Sequence, residues 1–423
     1  MKDNNTSLSK KSFFGAAIGT MIEYYDYSLF VMFLPIFSPI FFTANTAYQA
    51  LSKMFLLMTI PVIARPLGAL FFGYYGDFIG RRKALLLSMY GIATATFCIG
   101  LIPSAEHIGL WAAILIVAAK TIQVFCYGGE YNGAGIYVVE HAKNKQEGLI
   151  GSLLSTATTF GSLLASLAGV LLTVKYMPTW SWRVGFMLGG LVGLFGVFYR
   201  KKMLEVPAFS SADPKKHSLL NLLKEHPREI LLGIFIGGLS TIPATTVMGF
   251  INPVLMSKGF FNSHELMLIH TLLNIVSIVI LIIVGFVSNK ISPAKIMRFG
   301  ALLYVLLTYP LLQIIDLNHL AFTIPALAGL LVLSGIFFAP SNAFLKTLFS
   351  MPYRYRGISL SFCLGMGFFG GLTPVVDNYL YQATGRFSAI SLWLISVSFI
   401  TYWAFYLIKD KTTIQFKEAL AKY

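Results

Sequence analysis

The strongest constraint on this chain is a succession of apolar runs, each long enough to cross a lipid bilayer. A helix needs about 20 mostly apolar residues to span the hydrocarbon core. Twelve segments meet that need: Phe13–Phe42, Leu51–Tyr75, Ala84–Leu101, Ile108–Val139, Leu149–Val174, Trp182–Tyr199, Ile230–Met256, Glu265–Val287, Ile296–Ile315, Leu320–Phe349, Gly357–Ala383 and Ser388–Ile408. Strands do not fit, because the runs far exceed the roughly 10 residues of a barrel strand and do not alternate polar with apolar. Composition agrees. Charged residues make up 12% of the chain and hydrophobic ones 56%, against about 25% charged in a soluble domain. So few ionised side chains cannot cover a water-exposed surface of this size, and lipid must cover much of it. The expected fold class is an all-α membrane protein with twelve transmembrane helices.

The one sizeable polar stretch, Arg200–Arg228, divides the spans six and six. The expected organisation is a six-helix bundle over 1–199, a cytoplasmic linker over 200–228, a second bundle over 229–408 and a cytoplasmic tail over 409–423. With both termini inside, only Lys53, Lys175, Arg183, Lys258 and Arg386 of the 32 Lys and Arg residues fall in outer loops, and Arg65, Lys120 and Lys346 fall within spans. This positive-inside bias sets the orientation and points to a multi-pass protein of the cytoplasmic (inner) membrane. It also accounts for the net charge of +15 without a nucleic-acid partner. The first apolar run is too long for a leader core and is expected to remain as helix 1. Cys98, Cys126 and Cys363 lie far apart in apolar stretches, so they read as small core residues. Trp180 and Trp182 read as interfacial anchors. No nucleophile–base set, metal spacing or phosphate loop appears, so neither an enzyme nor a metal or other cofactor is expected.

The halves look related. Gly73-Tyr-Tyr-Gly-Asp77-Phe-Ile-Gly80-Arg81-Arg82-Lys83 follows helix 2, and Gly285-Phe-Val-Ser-Asn289-Lys-Ile-Ser292-Pro293-Ala294-Lys295 follows helix 8. Gly148-Leu-Ile-Gly-Ser and Gly357-Ile-Ser-Leu-Ser open helices 5 and 11. Parallel repeats of this kind place a solute site between the halves near the midplane.

The first of these segments resembles the inner-loop signature of the major facilitator superfamily, G-x-x-x-D-x-x-G-R-R/K. Its chemistry suits a conformational latch. Glycines permit a sharp turn and close approach. Asp77 can accept from the N-terminus of a neighbouring helix, and Arg81, Arg82 and Lys83 hold the loop at an anionic face. The resemblance implies that Gly73, Asp77, Gly80, Arg81 and Arg82 latch the halves in the outward-facing state. Further segments are similar to the metabolite:proton symporter family, whose carriers take α-ketoglutarate, citrate, shikimate and proline or betaine. They are Gly19-Thr-Met-Ile-Glu23-Tyr24-Tyr25-Asp26-Tyr27, Arg65-Pro66-Leu-Gly68, Gln123 with Gly128-Gly129-Glu130-Tyr131, Val139-Glu140-His141, Trp180-Ser-Trp182-Arg183, Leu204-Glu205-Val-Pro207 and Phe369-Gly370-Gly371-Leu-Thr-Pro374. Departures from that pattern are Lys120 for Arg, Val124 for Gly, Asn289 and Pro293 in the second signature, and Thr347 for Glu.

Ionisable residues in hydrocarbon cost at least ~2.5–3.5 kcal/mol each, so they face a cavity or a partner. Glu23 lies about 15 Å into helix 1 and Asp26 slightly deeper, three residues on along a shared face. Lys120 lies about 18 Å into helix 4. Arg65 lies toward the cytoplasm on helix 2, and Glu130 near the inner end of helix 4. Deep charges thus concentrate in the first half. Glu23, Asp26, Lys120 and Glu130 are the proton-coupling candidates; the alternative is a set of fixed ion pairs joining helices 1, 2 and 4. Arg65, Tyr27, Gln123, Tyr127, Tyr131 and Asn252 are the candidates for binding solute. Arg65 can hold a carboxylate through its fork, or can pair with helix 1 instead. The expected function is proton-coupled import of a small organic acid or zwitterionic metabolite by a monomer in lipid, working by alternating access. Export or antiport, and a non-transporting sensor, are the rival readings.

Overall fold

The computed structural model describes residues 10–79, 81–128, 131–140, 142, 146–200, 219–317, 319–349 and 353–408. Twelve apolar helices organise it: α1 Phe13–Phe41, α2 Ala47–Phe72, α3 Lys83–Leu101, α4 Leu110–Tyr127, α5 Glu147–Leu172, α6 Trp182–Val197, α7 Pro227–Ser257, α8 Ser263–Ser288, α9 Pro293–Asp316, α10 Leu320–Leu348, α11 Arg356–Thr384 and α12 Phe387–Ala404. All but the shorter α6 are long and apolar enough to cross a membrane. Helix Tyr131–Glu140 lies on the far side of residues 129–130 from α4, and helix Leu219–Glu225 precedes α7. The rest of the expected linker and the tail over 409–423 lie outside the described residues.

Local chemistry explains several boundaries. Helix α2 opens at Ala47 rather than Leu51, because the Thr46 side chain accepts from the Gln49 backbone N–H at 3.2 Å, which satisfies one orphan donor of the first turn. Helix α8 opens on a capping box, Asn262 with Glu265. Two helices contain π-helical turns, Thr245–Ile251 in α7 and Met366–Gly370 in α11. A proline follows each. Pro253 has no N–H to give the Gly249 carbonyl four residues back, and Pro374 has none for Gly370, so the regular ladder yields there.

Within the first half, α1 packs on α5 and α6, and α3 on α4 and α6; within the second, α7 packs on α11 and α12, and α9 on α10 and α12. Between halves, α5 packs on α8, and α2 on α11. Helices 2 and 5 of one half therefore meet helices 5 and 2 of the other, an exchange expected of two related bundles. Small residues allow the approach: a Cβ on Gly285 would fall 2.6 Å from that of Ser152, and one on Gly148 2.8 Å from that of Ser288. Leu110, Phe195, Leu306 and Leu392 point outward, where lipid is their solvent.

Two sequence readings need correction. Cys98 is exposed on the outward face of α3, whereas Cys126 and Cys363 are buried. Trp182 is no interfacial anchor: it is 1% exposed, wedged among Phe37, Phe41 and Phe186, while Trp180 is exposed. The heavily aromatic end of α1 recruits the indole inward. Arg183 beside it donates to the Gly100 and Ile102 carbonyls at 2.9 and 2.5 Å, capping the end of α3.

Candidate solute and coupling site

A cavity of about 130 Å³ lies between the halves. Helices α1, α2, α4 and α5 of the first half and α7, α8, α10 and α11 of the second contribute to its wall. Its charged lining residues are Glu23 and Arg65, with Tyr24, Tyr27 and Tyr127 beside them. Glu23 is 3% exposed and Arg65 8%. The Tyr27 ring lies 6.2 Å from that of Tyr24 and 6.1 Å from that of Tyr127. Opposite, Ser240, Thr241, Thr245, Asn274 and Ser277 offer hydroxyls and an amide, and Met248, Leu331 and Met366 are apolar.

Asp26, Lys120 and Gln123 do not line this cavity. They form a buried cluster behind it. Lys120 donates to Gln123 Oε1 at 2.6 Å. Gln123 Nε2 donates to Asp26 Oδ2 at 2.5 Å and to Thr96 Oγ1 at 2.8 Å. Tyr127 donates its hydroxyl to the same Asp26 oxygen at 2.9 Å. The amide orientation follows from its neighbours, since an ammonium can only donate and a carboxylate can only accept. Lys120, Gln123 and Tyr127 stand at i, i+3 and i+7, on one face of α4. The ammonium also lies 4.1 Å from the centre of the Phe30 ring. Gln123 thus bridges cation and carboxylate, and Tyr127 belongs to both cluster and cavity. A sequence search could have found Thr96 only as an isolated hydroxyl in an apolar helix.

The remaining candidates are placed differently. Asn252 is fully buried on α7 and does not line the cavity, and neither amide atom has a hydrogen-bond partner among the described residues. The side chains of Glu130 and Tyr131 lie outside the described residues, as do those of the latch residues Gly73, Asp77, Gly80, Arg81 and Arg82. In the second signature, however, Asn289 Oδ1 accepts from the Leu149 N–H in the first turn of α5 at 2.9 Å. An amide oxygen performs there the task read for the acid. Among the described residues no group of His, Cys, Asp and Glu could hold a metal ion.

Contacts between the halves occur on both sides of the cavity. On the linker side, Arg354 pairs with Glu140 at 2.8 Å and Lys346 with Glu147 at 2.6 Å. Asn342 donates to the Gly151 carbonyl at 3.2 Å, and Ser152 to the Leu281 carbonyl. On the opposite side the described contacts are uncharged: Tyr48 donates to Asn378 at 2.8 Å, and the Phe55 and Phe250 rings lie 5.6 Å apart. Sequence reading did not single out Arg354 or Glu147, because nothing local to either residue records its partner in the other half.

A family model described as "Sugar (and other) transporter" matches residues 13–216. A putative proline/betaine transporter of Staphylococcus haemolyticus is 28% identical over 95% of this chain and 87% of its own length. An ectoine/proline transporter of Corynebacterium glutamicum is 27% identical over 88% and 78%. Among solved structures, a D-xylose–proton symporter superposes with a TM-score of 0.71 at 16% identity over 92% and 96% of the two chains. The E. coli fucose:proton symporter gives 0.65 at 14% over 94% and 98%. The chain has the fold of these symporters, that of the major facilitator superfamily. It is a multi-pass membrane transporter and not an enzyme. In this transporter the cavity at the junction of the halves occupies the position that the repeat pattern assigned to a solute.

Proposed function

We propose that the transporter imports a small zwitterion of the proline or betaine kind, together with protons, across the cytoplasmic membrane. The observation that carries this reading is the pairing of Arg65 and Glu23 in one small cavity walled by Tyr24, Tyr27 and Tyr127. Arg65 binds the solute carboxylate by its fork. The tyrosine faces and Glu23 receive the cationic end. Relatives named for proline, betaine and ectoine support the solute class.

Coupling rests on the Asp26 cluster. Protonation of Asp26 weakens its hold on Gln123 and Tyr127, and Tyr127 carries that change into the cavity wall. The bundles over 1–199 and 229–408 rock about the cavity as a monomer in lipid, with the linker over 200–228, the tail over 409–423 and both termini cytoplasmic. The ion pairs Arg354–Glu140 and Lys346–Glu147 then close the cytoplasmic side, together with the latch of Gly73, Asp77, Gly80, Arg81 and Arg82. Lys120 fixes Gln123, and Glu130 and Tyr131 belong to the inner part of the path.

The test is uptake of radiolabelled proline, betaine and ectoine by proteoliposomes under an imposed inward proton gradient. Accumulation that a protonophore abolishes is expected. Equal uptake with and without the gradient would remove proton coupling, and indifference to all three solutes would remove the solute class.

A further inference from the structure

Behind the solute cavity lies a second, much smaller pocket, wholly within the first half. Gly19, Ile22, Glu23 and Asp26 of α1 line it, with Met89, Ile92, Ala93 and Thr96 of α3 and Gly189 and Gly193 of α6. Its volume is about 10 Å³, the room that about one water molecule needs. Glu23 is in the wall of both this pocket and the solute cavity; Asp26 is in the wall of this one alone. The two oxygens of Asp26 are used unequally. Oδ2 takes both described donors, from Gln123 and Tyr127, while Oδ1 is buried and has no hydrogen-bond partner among the described residues.

We infer that one bound water in this pocket links Asp26 Oδ1 to Glu23 and carries the coupling proton between them, inside the first half and apart from the solute's own path. The polar groups in reach are two carboxyls and the Thr96 hydroxyl, enough to hold a water. The step balances. The O–H bond on Asp26 Oδ1 breaks as water takes that proton, and water passes another of its protons to a Glu23 carboxylate oxygen. Water is regenerated, and the negative charge moves from Glu23 to Asp26. Around Asp26 the charged and titratable groups are Lys120 acting through Gln123, Tyr127 through its hydroxyl, Glu23, and the neighbouring Tyr25, whose ring lies against Gly189. The pocket's lining from α3 and α6 adds none. Neutralising Glu23 in the cavity wall changes the charge that Arg65 and a zwitterionic solute face. Solute occupancy and proton location are thereby linked through Glu23, which the solute meets from the cavity and the proton reaches from behind.

This inference rests on the proton-coupled reading, and the experiment separates the two. Ala93 faces Gly193 across the pocket, the Cβ of one lying 2.9 Å from where a Cβ on the other would sit. Ala93→Val fills the space with carbon, and Ala93→Ser places an oxygen in it. With Ala93→Val, solute counterflow should stay within about twofold of wild type while proton-driven accumulation falls at least tenfold. Ala93→Ser should retain most accumulation. Wild-type protein that fails to accumulate solute on a proton gradient sinks the coupling reading. Wild-type coupling that Ala93→Val leaves intact sinks the water link alone. An experimental map of the wild-type protein able to show ordered water gives an independent reading that needs no variant: density in contact with Asp26 Oδ1 supports the link, and its absence overturns it.

Discussion

Removing the two ion pairs on the linker side should open that side without unfolding either bundle. The perturbation is Arg354→Gln with Lys346→Gln. The four side chains are 17–38% exposed, between the exposed pairs worth ~0.2–1 kcal/mol and the buried ones whose disruption costs about 3–5 kcal/mol. About 1 kcal/mol each is the appropriate scale. Both pairs join helices of different halves, so they exist only while this side is closed, and their loss favours opening. One pair changes the closed-to-open ratio about fivefold, and two change it about 30-fold. The Asn342, Ser152 and Asn289 contacts remain, so closure is weakened rather than abolished. The assay uses a cysteine at Ser155, which is fully buried beside Asn342, in a background without Cys98, Cys126 and Cys363. A thiol reagent presented from the linker side reports the open fraction by its rate. The single variants should react about five times faster and the double about 30 times. A double-variant rate within twofold of the parent would falsify a gating role for the pairs, and so would a swap, Glu140→Arg with Arg354→Glu, that fails to restore the parental rate.

Asp26→Asn should abolish accumulation on a proton gradient yet permit counterflow, and Glu23→Gln should abolish accumulation too; unimpaired accumulation in both variants would exclude them from coupling. Gln123→Leu leaves Lys120 and Asp26 buried without their bridge, at about 3 kcal/mol, so both thermal stability and transport should fall, and normal values for both would contradict the bridging geometry. Asn289→Ala removes the acceptor for the Leu149 N–H, at about 1 kcal/mol, and should raise the linker-side labelling rate severalfold, whereas Asn289→Asp should not. Gly68→Ala sets a Cβ against the Phe125 carbonyl where α2 meets α4, and should depress the yield of folded protein; a normal yield would show that this contact can relax.

The spans were legible because hydrocarbon demands long apolar runs. The site was legible as composition but not as geometry. Glu23 and Asp26 are three residues apart, about 60° around a helix. That angle is enough to put one in the cavity wall and the other behind it. Gln123 read as a solute ligand, yet its three residues from Lys120 and four from Tyr127 make it the middle of a ladder on α4. The gate pairs Arg354 with Glu140, 214 positions away, and no local pattern records such a partnership. Trp182 shows the same limit: its place near a helix start fits the membrane interface, but Phe37, Phe41 and Phe186 decide where it goes.

The π turns of α7 and α11 have a bearing on the far end of the molecule. In each, the ladder reaches one residue further than in a regular helix, so everything beyond is rotated by about 100° against an uninterrupted wheel. Beyond the turn in α7 stands Lys258; beyond that in α11 stand Asn378 and Tyr381, and these residues meet one another and Tyr48. The alignment of that rim is therefore set by a phase offset stored two to four turns deeper, at Gly249 and Gly370 beneath Pro253 and Pro374. Restoring a regular ladder by replacing either proline would swing the rim residues out of register, although no atom of the rim itself had been changed.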